Sequence, residues 1–355
     1  MTPDQSALIG LADEILRGRT TNEALQAVER SDRRVDDRLW AELATAGLVG
    51  IAVPENLGGA GLGLTELCLL LEVQGRRLAP VPLWETAVLG ALPLSAFGQG
   101  TSAQEALSHV ASGSLLLSGS FDLGGGAVSS VRVVDGRLSG EARLVPHGHA
   151  IGALLVAADD RQLYLCPTRG VPSVSVETTT RAMAADLTLD DVLAAELIGE
   201  GVLDWAIDRG RVGLVALALG VADEGVREAA AYLSGRQQFG RPLATFQAVS
   251  QQLADCYCDV QAMRATLWQA VWALDHGDPA RARRAVDVAA WWATEAGARV
   301  QQTVQHLHGG MGADITYPVH RRLLWSMRLD GLLGGPSRQI ERLHAGLFPD
   351  PAPVP

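Results

Sequence analysis

RVGLVALALGVADEGVREAAAYLSGRQQFGRPLATFQAVSQQLAD, residues 211–255, holds the key to this 355-residue chain. Apolar residues recur at helical spacing on both sides of a short polar insert, Gly235-Arg-Gln-Gln-Phe-Gly-Arg-Pro242. Val212–Ala222 is apolar on more than one face, which predicts burial in a bundle core or an interface. That run is too short to cross a bilayer. A plain helix–helix turn needs neither Arg236 nor Phe239, so the insert asks for a second purpose.

Outward from this stretch, periodicity predicts helices over 201–234, 242–275, 278–307 and 336–347. The breaks fall at Gly235–Pro242, Gly277-Asp-Pro279 and His308-Gly-Gly-Met-Gly312. Long helices with short breaks suggest an antiparallel four-helix bundle. Trp268 and Trp272 share a helix face that lines either the bundle core or a contact with another subunit, with the core preferred.

Residues 111–197 differ in character. Ser114–Ser118, Val131–Val134, Gly152–Ala158 and Gln162–Cys166 are β-prone runs separated by turn signals such as Asp135-Gly136. They predict a small antiparallel domain, a barrel or a sandwich. Before it, residues 1–110 read as helical: Leu39, Leu43 and Ala46 share a face, and Gly47 suits a C-cap. The loop Val53-Pro-Glu-Asn-Leu-Gly-Gly-Ala-Gly-Leu-Gly63 has four glycines in six residues, but no Gly-Lys-Ser/Thr closes it, so it reads as structural. It leads into a helix at Thr65–Gly75, with Thr65 as a candidate N-cap. The fold class is therefore α+β, mostly α: an N-terminal helical domain at 1–110, a middle β-domain at 111–197, a C-terminal four-helix bundle at 198–347 and a disordered tail at 348–355.

Composition narrows the function. Hydrophobic residues make up 48% and charged residues 19%, as in a globular chain. A net charge of −11 without a basic stripe argues against nucleic acid, and Arg281–Arg284 and Arg321–Arg322 read as solvated helix faces. No apolar run suggests a membrane span, and MTPDQSALIGLADEILRG shows no secretory signal, so a cytoplasmic protein is expected. Cys68, Cys166, Cys256 and Cys258 match no zinc spacing and read as reduced, buried thiols.

Four stretches carry a resemblance: LWAELATAGLVGIAVPENLGGAGLG, TTTRAMAADLTLDDV, GRQQFGRPLATFQAVSQQLAD and HLHGGMGADITYPVHR. In this order the chain resembles the acyl-CoA dehydrogenase family over nearly its whole length. The resemblance implies a tetramer built around FAD that removes two hydrogens across the Cα–Cβ bond of an acyl-CoA thioester. It implies that the polar insert reaches the FAD of a neighbouring subunit. Arg236, Gln238, Phe239 and Gln247 match the family's contacts to the adenine-diphosphate half, and Gly309 and Gly310 match the glycines that admit it closely. Arg suits a diphosphate because its planar fork donates two hydrogen bonds at once. His306 stands where the family most often has Gln, and His also donates.

The reaction needs a base, a desolvated carboxylate with a raised pKa. The family places a Glu at one of two positions. Here these read Gly210, in Asp208-Arg-Gly-Arg211, and Gly335 (or, with one residue of slip, Gly334), in Leu332-Leu-Gly-Gly-Pro-Ser-Arg-Gln-Ile340. Nearby Asp208, Asp330 and Glu341 read as solvated or capping acids. The stretches matching the family's flavin-ring contacts, Ser120-Phe-Asp-Leu-Gly-Gly-Gly126 and Arg143-Leu-Val-Pro-His-Gly-His149, lack its hydroxyl donor, and Pro146 removes an N–H.

The chain thus keeps the half that serves a neighbour's FAD and lacks the half that uses its own. Its ending, HGGMGADITYPVHRRLLWSM with LLGGPSRQIERL, resembles paired-subunit actinobacterial dehydrogenases of steroid side-chain CoA thioesters. The leading expectation is a non-catalytic subunit of an α₂β₂ heterotetramer. The partners implied are a Glu-bearing subunit, an acyl-CoA at that subunit's site, and an electron-transfer flavoprotein or similar acceptor. Two other readings stand beside it: a homotetramer with an unusual base such as Asp208 or Glu341, and a flavin-free scaffold or acyl-CoA-binding protein.

Overall fold

The computed structural model describes residues 1–124 and 129–348. The expected disordered tail lies outside the described residues except for exposed Phe348. The chain divides into two compact units, Met1–Val73 with Ala79–Gly213, and Gln74–Leu78 with Leu214 onward.

In the first unit, α1 (Pro3–Arg19), α2 (Asn22–Arg30) and α3 (Asp37–Thr45) come first. Thr2 closes a capping box with Gln5, which satisfies two N–H groups at the start of α1. Asp36 caps α3 by accepting from the amides of Arg38 and Leu39. Leu39 and Leu43 are fully buried, so the expected α3 face is the packed one. α3 ends at Thr45 with Ala46 as its C-cap, one residue before the expected Gly47; with φ +74°, Gly47 turns the chain and donates to Ala44, and Leu48 donates to Leu43, which absorbs two of the last carbonyls.

The glycine-rich loop is structural. Its amides turn inward: Gly59 donates to Pro54, Ala60 to Gly50, Gly61 to Val53 and Leu62 to Ile51. Donors used this way cannot cradle a phosphate. A Cβ at Gly59 would sit 2.1 Å from the Val53 carbonyl oxygen, whereas one at Gly63 would meet nothing within 4 Å. Gly59→Ala is therefore expected to destabilise the fold by about 1–3 kcal/mol, the usual range for overpacking, with Gly63→Ala much milder. Urea denaturation of the two variants checks this.

α4 (Leu64–Arg77) begins one residue before Thr65, so Thr65 lies inside the helix and is not its N-cap. The π-helix Trp84–Ala91 follows with all eight residues buried, then α5 (Leu92–Phe97) and α6 (Thr101–Ala111).

The β-region holds β1 (Leu117–Ser120), β2 (Ser130–Val134), β3 (Arg137–Pro146), β4 (Ala153–Ala157), β5 (Leu163–Pro167), β6 (Ser173–Glu177), β7 (Met183–Leu193) and β8 (Glu196–Leu197). They form two separate four-stranded sheets, β1-β4-β5-β8 and β2-β3-β7-β6, and no closed barrel among the described residues. The pairing is antiparallel except that β1 runs parallel to β4, a departure from the all-antiparallel expectation.

The division between units falls within α7 (Val202–Gly235). In the second unit follow a two-stranded hairpin, β9 (Gln237–Gln238) with β10 (Arg241–Pro242), and the helices α8 (Gln247–His276), α9 (Pro279–Leu307), α10 (His320–Leu333) and α11 (Gly335–Leu347). α8 starts five residues later than expected because a 3₁₀ turn occupies Leu243–Thr245. α10 is a fifth helix that the periodicity did not announce. α9 buries Ala282, Ala285, Ala289, Ala293 and Ala296, which combine good helix propensity with small size, and buried Gly297 adds room for close packing.

Three surface expectations are corrected here. Arg321 and Arg322 are buried, and Arg322 forms a fork with the Glu228 carboxylate at 2.5 and 2.6 Å. Trp272 is half exposed, stacked on His276, while Trp268 is partly buried. Cys258 is exposed; the other three thiols are buried, and burial pushes Cys166 up to about 11.

Candidate functional site

The first set of residues lies in the second unit, at the end of the bundle where α7 gives way to the hairpin. Phe239 and Gly240 form its two-residue turn, with φ of +53° and +76°. Positive φ at both positions gives the twist a tight hairpin needs, but the first normally takes Asn, Asp or Gly. A Phe held there is strained, by roughly 1 kcal/mol or more. It is nonetheless 90% exposed, with its ring centroid 6.1 Å from that of Phe246 in an edge-on arrangement. The Arg241 guanidinium lies 4.0 Å from the Phe246 ring centroid on the other side of the turn.

A ring stack ties this hairpin to the glycine turn. Tyr232, one helical turn before Arg236, stacks on His308 at 4.6 Å, and His308 immediately precedes Gly309. His308 is buried, and its Nδ1 donates to the Val304 carbonyl at 2.7 Å. Tyr317 closes the cluster at 5.6 Å from His308. Gln247 opens α8 directly after Phe246. The structure thus brings Arg236, Gln238, Phe239, Gln247, Gly309 and Gly310 to one end of the bundle, together with His306 on the last turn of α9. All seven are exposed. Arg236 enters no ion pair among the described residues, and a Cβ at Gly309 or Gly310 would meet nothing within 4 Å. Tyr232, His308 and Arg241 escaped the sequence reading; the four-residue spacing from Tyr232 to Arg236 was the signal available.

The second set lies in the first unit. Gly210 sits on α7, with its carbonyl accepting from the Trp84 indole at 2.9 Å. A Cβ there would lie 2.9 Å from the tips of both Leu89 and Leu123. Asp208 and Arg209 are buried, so Asp208 is not the solvated acid that the sequence suggested. Of the flavin-ring stretches, Gly125 and Gly126 lie outside the described residues. The Ser120 hydroxyl is engaged with that of Ser129. Pro146 ends β3, and buried His147 faces buried Glu85 at 3.7 Å.

At the other glycine position, Gly334 and Gly335 have φ of +87° and +75°. The turn between α10 and α11 is thus built from two left-handed residues, and any side chain there would be strained. Glu341 is exposed and pairs with Arg338 at 3.1 Å. Asp330 differs from its expected solvated state: burial, and secondarily the charge of Glu295, raises its carboxyl above the usual range.

Comparison with known proteins places this geometry. The model of the acyl-CoA dehydrogenase N-terminal domain matches residues 2–114, and that of the acyl-CoA dehydrogenase C-terminal domain matches residues 199–346. The chain belongs to the acyl-CoA dehydrogenase family. Acyl-CoA dehydrogenase FadE27 of Mycobacterium tuberculosis is 35% identical, over 97% of this chain and 96% of its own. Acyl-CoA dehydrogenase FadE28 of the same organism is 34% identical, over 87% and 92%. Among solved structures, the Tcur3481-Tcur3483 steroid ACAD G363A variant superimposes with a TM-score of 0.91 at 44% identity, covering 97% of both chains. The ChsE4-ChsE5 complex from Mycobacterium tuberculosis gives 0.91 at 35% identity, covering 99% of both. Butyryl-CoA dehydrogenase from Megasphaera elsdenii, at 22% identity and 0.84, shares the fold. Membership assigns the chain an oxidoreductase role in a family that works with FAD.

Proposed function

We propose that this chain is the non-catalytic subunit of a heterotetrameric acyl-CoA dehydrogenase and holds FAD seated in a Glu-bearing partner. The observation that carries the reading is the contrast between the two sets of residues. The adenine-side set stands exposed and convergent at one end of the bundle, as residues serving a group across an interface would. At the two base positions, one glycine is crowded by Leu89 and Leu123 and the other lies in a left-handed turn.

The residues present suit the adenine-diphosphate half of the cofactor. Arg236 offers a fork to a diphosphate, Gln238 and Gln247 offer amides, and Phe239 offers a face to a flat ring. Gly309 and Gly310 leave space for close backbone approach. His306 adds a donor. The flavin-ring stretches suit the cofactor poorly, because Pro146 has no N–H and the Ser120 hydroxyl is engaged. When bound, FAD supplies the acceptor for the hydride leaving the thioester's β-carbon. In this chain, Arg236 neutralises charge, the hairpin positions the nucleotide, and Tyr232 with His308 holds hairpin and glycine turn together. The α-proton falls to the partner's Glu.

The Tcur3481-Tcur3483 steroid ACAD and the ChsE4-ChsE5 complex are each pairs of chains, which supports a paired subunit and a steroid side-chain CoA as substrate. Electrons would pass to an electron-transfer flavoprotein or similar acceptor. The purified chain is expected to be colourless alone. With its Glu-bearing partner it should elute from a sizing column as a tetramer carrying about one flavin per two chains. A yellow homotetramer that turns over without a partner would overturn the reading.

The second reading, a self-sufficient enzyme, draws on Asp330 before the α10–α11 turn, whose carboxyl burial raises above the usual range. Partner-free turnover that disappears in Asp330→Asn would establish it.

A further inference from the structure

The buried face of α9 carries a polar residue at every seventh position: Thr294, Gln301 and, at its C-cap, His308. Residues so spaced are about two helical turns apart and share a face. Thr294 is satisfied within α9, donating to the Ala290 carbonyl at 3.0 Å. Gln301 and His308 instead reach α7. Gln301 Nε2 donates to the Val221 carbonyl at 3.1 Å, and His308 stacks on Tyr232. Gly225 leaves room for the amide: a Cβ there would lie 2.9 Å from Gln301 Nε2 and 3.0 Å from its Oε1. Gly225 and Tyr232 are again seven positions apart. α7 and α9 therefore run parallel here and meet in step, Gln301 at Gly225 and His308 at Tyr232.

Stability does not account for Gln301. It is 1% exposed, and its Oε1 is buried without a partner among the described residues. A buried acceptor left unmet offsets the one hydrogen bond that the amide gains. Val221 lies four residues before Gly225 in α7, so its carbonyl already accepts a helical bond and has no need of the amide. An apolar side chain of the same shape would leave nothing unsatisfied. A lone polar group in a helical core lowers stability yet fixes register, because sliding the helices breaks its bond. Register matters at this end of the bundle. Arg236 donates its N–H to the Tyr232 carbonyl, and Gly309 directly follows His308. Sliding α9 along α7 would move the glycine turn away from Arg236.

On the reading that Arg236 and the glycine turn hold FAD seated in the partner, we infer that Gln301, lodged against Gly225, is a positioning residue that sets the spacing between them. Gln301→Met should keep or raise the melting temperature of the chain alone. In the complex with the Glu-bearing partner, it should weaken FAD binding roughly threefold to thirtyfold, as residues that couple to a site without touching its ligand do. Gly225→Ala, whose new methyl drives the amide off Val221, should weaken FAD in the same way while improving helix propensity. Stability and affinity moving in opposite directions is a result that a merely structural amide would not give. Fluorescence titration of the flavin-stripped complex with FAD reads the affinity, and calorimetry of the chain alone reads the stability. Arg236→Ala serves as the reference in the same titration. Unchanged FAD binding in Arg236→Ala would overturn the site itself. Binding lost in Arg236→Ala but of wild-type strength in Gln301→Met would overturn the register role alone, as would a melting temperature that falls together with FAD affinity in both Gln301→Met and Gly225→Ala.

Discussion

Arg236→Ala, in the complex with the Glu-bearing partner, is expected to strip flavin from the enzyme while leaving the tetramer intact. Arg236 is exposed, forms no ion pair among the described residues and sits beyond the last turn of α7, so the isolated fold has little use for it. Hydrogen bonds to charged groups contribute roughly 1.5–3 kcal/mol each, so losing a bidentate pair weakens binding on the order of a hundredfold. Flavin absorbance per tetramer after gel filtration should fall, and turnover should fall with it and recover with added FAD. Arg236→Lys should recover only part, because an ammonium is a point charge without the fork. Phe239→Asn separates strain from function. It relieves the left-handed φ of +53°, so thermal stability should hold or rise, yet it removes the exposed ring and should lower flavin retention. Unchanged flavin content and turnover in Arg236→Ala would remove this chain from the cofactor site.

The helical parts of the fold were legible because their signals are local. Asp36, Gly47, Gly277 and Pro279 mark ends, and the long apolar period of α7 marks burial. The β-region was half legible. β4 and β5 are nearly continuous apolar runs and announce themselves. β3 and β7 mix charges and glycine into an alternation that β-bulges then interrupt, so their period of two breaks down in the sequence. The parallel pairing of β1 with β4 arises from chain segments far apart and has no local signature. α10 was missed because its arginines read as surface, whereas Arg322 is buried against Glu228 from a different helix. For the candidate site, the hairpin residues could be read from one motif. The Tyr232–His308 stack spans seventy-six positions of sequence and needs the fold to be seen.

Gly210→Glu tests the other half of the proposal. If this chain had merely mislaid a base, restoring a carboxylate on α7 should move it toward activity. The packing argues otherwise. A Cβ at Gly210 already falls 2.9 Å from both Leu89 and Leu123, so the rest of a Glu side chain must displace buried leucines. Burying a carboxylate among apolar groups without a partner is unfavourable by several kcal/mol, unless it takes up a proton. Gly210→Glu is therefore expected to lose roughly 3 kcal/mol or more, and to show no turnover without the partner. Gly210→Ala separates the two causes: it adds the close Cβ without the charge, and because only leucine tips must yield, its loss should stay within about 1–2 kcal/mol. Gly335→Glu complements both, since a Cβ there meets nothing within 4 Å and the obstacle is φ alone. Its loss should be about 1–2 kcal/mol, the usual strain of a left-handed non-glycine residue. Chemical denaturation ranks the three, and partner-free assays read the activity. A stable Gly210→Glu chain that binds flavin and turns over would mean that its own pocket is intact and lacks nothing but the base.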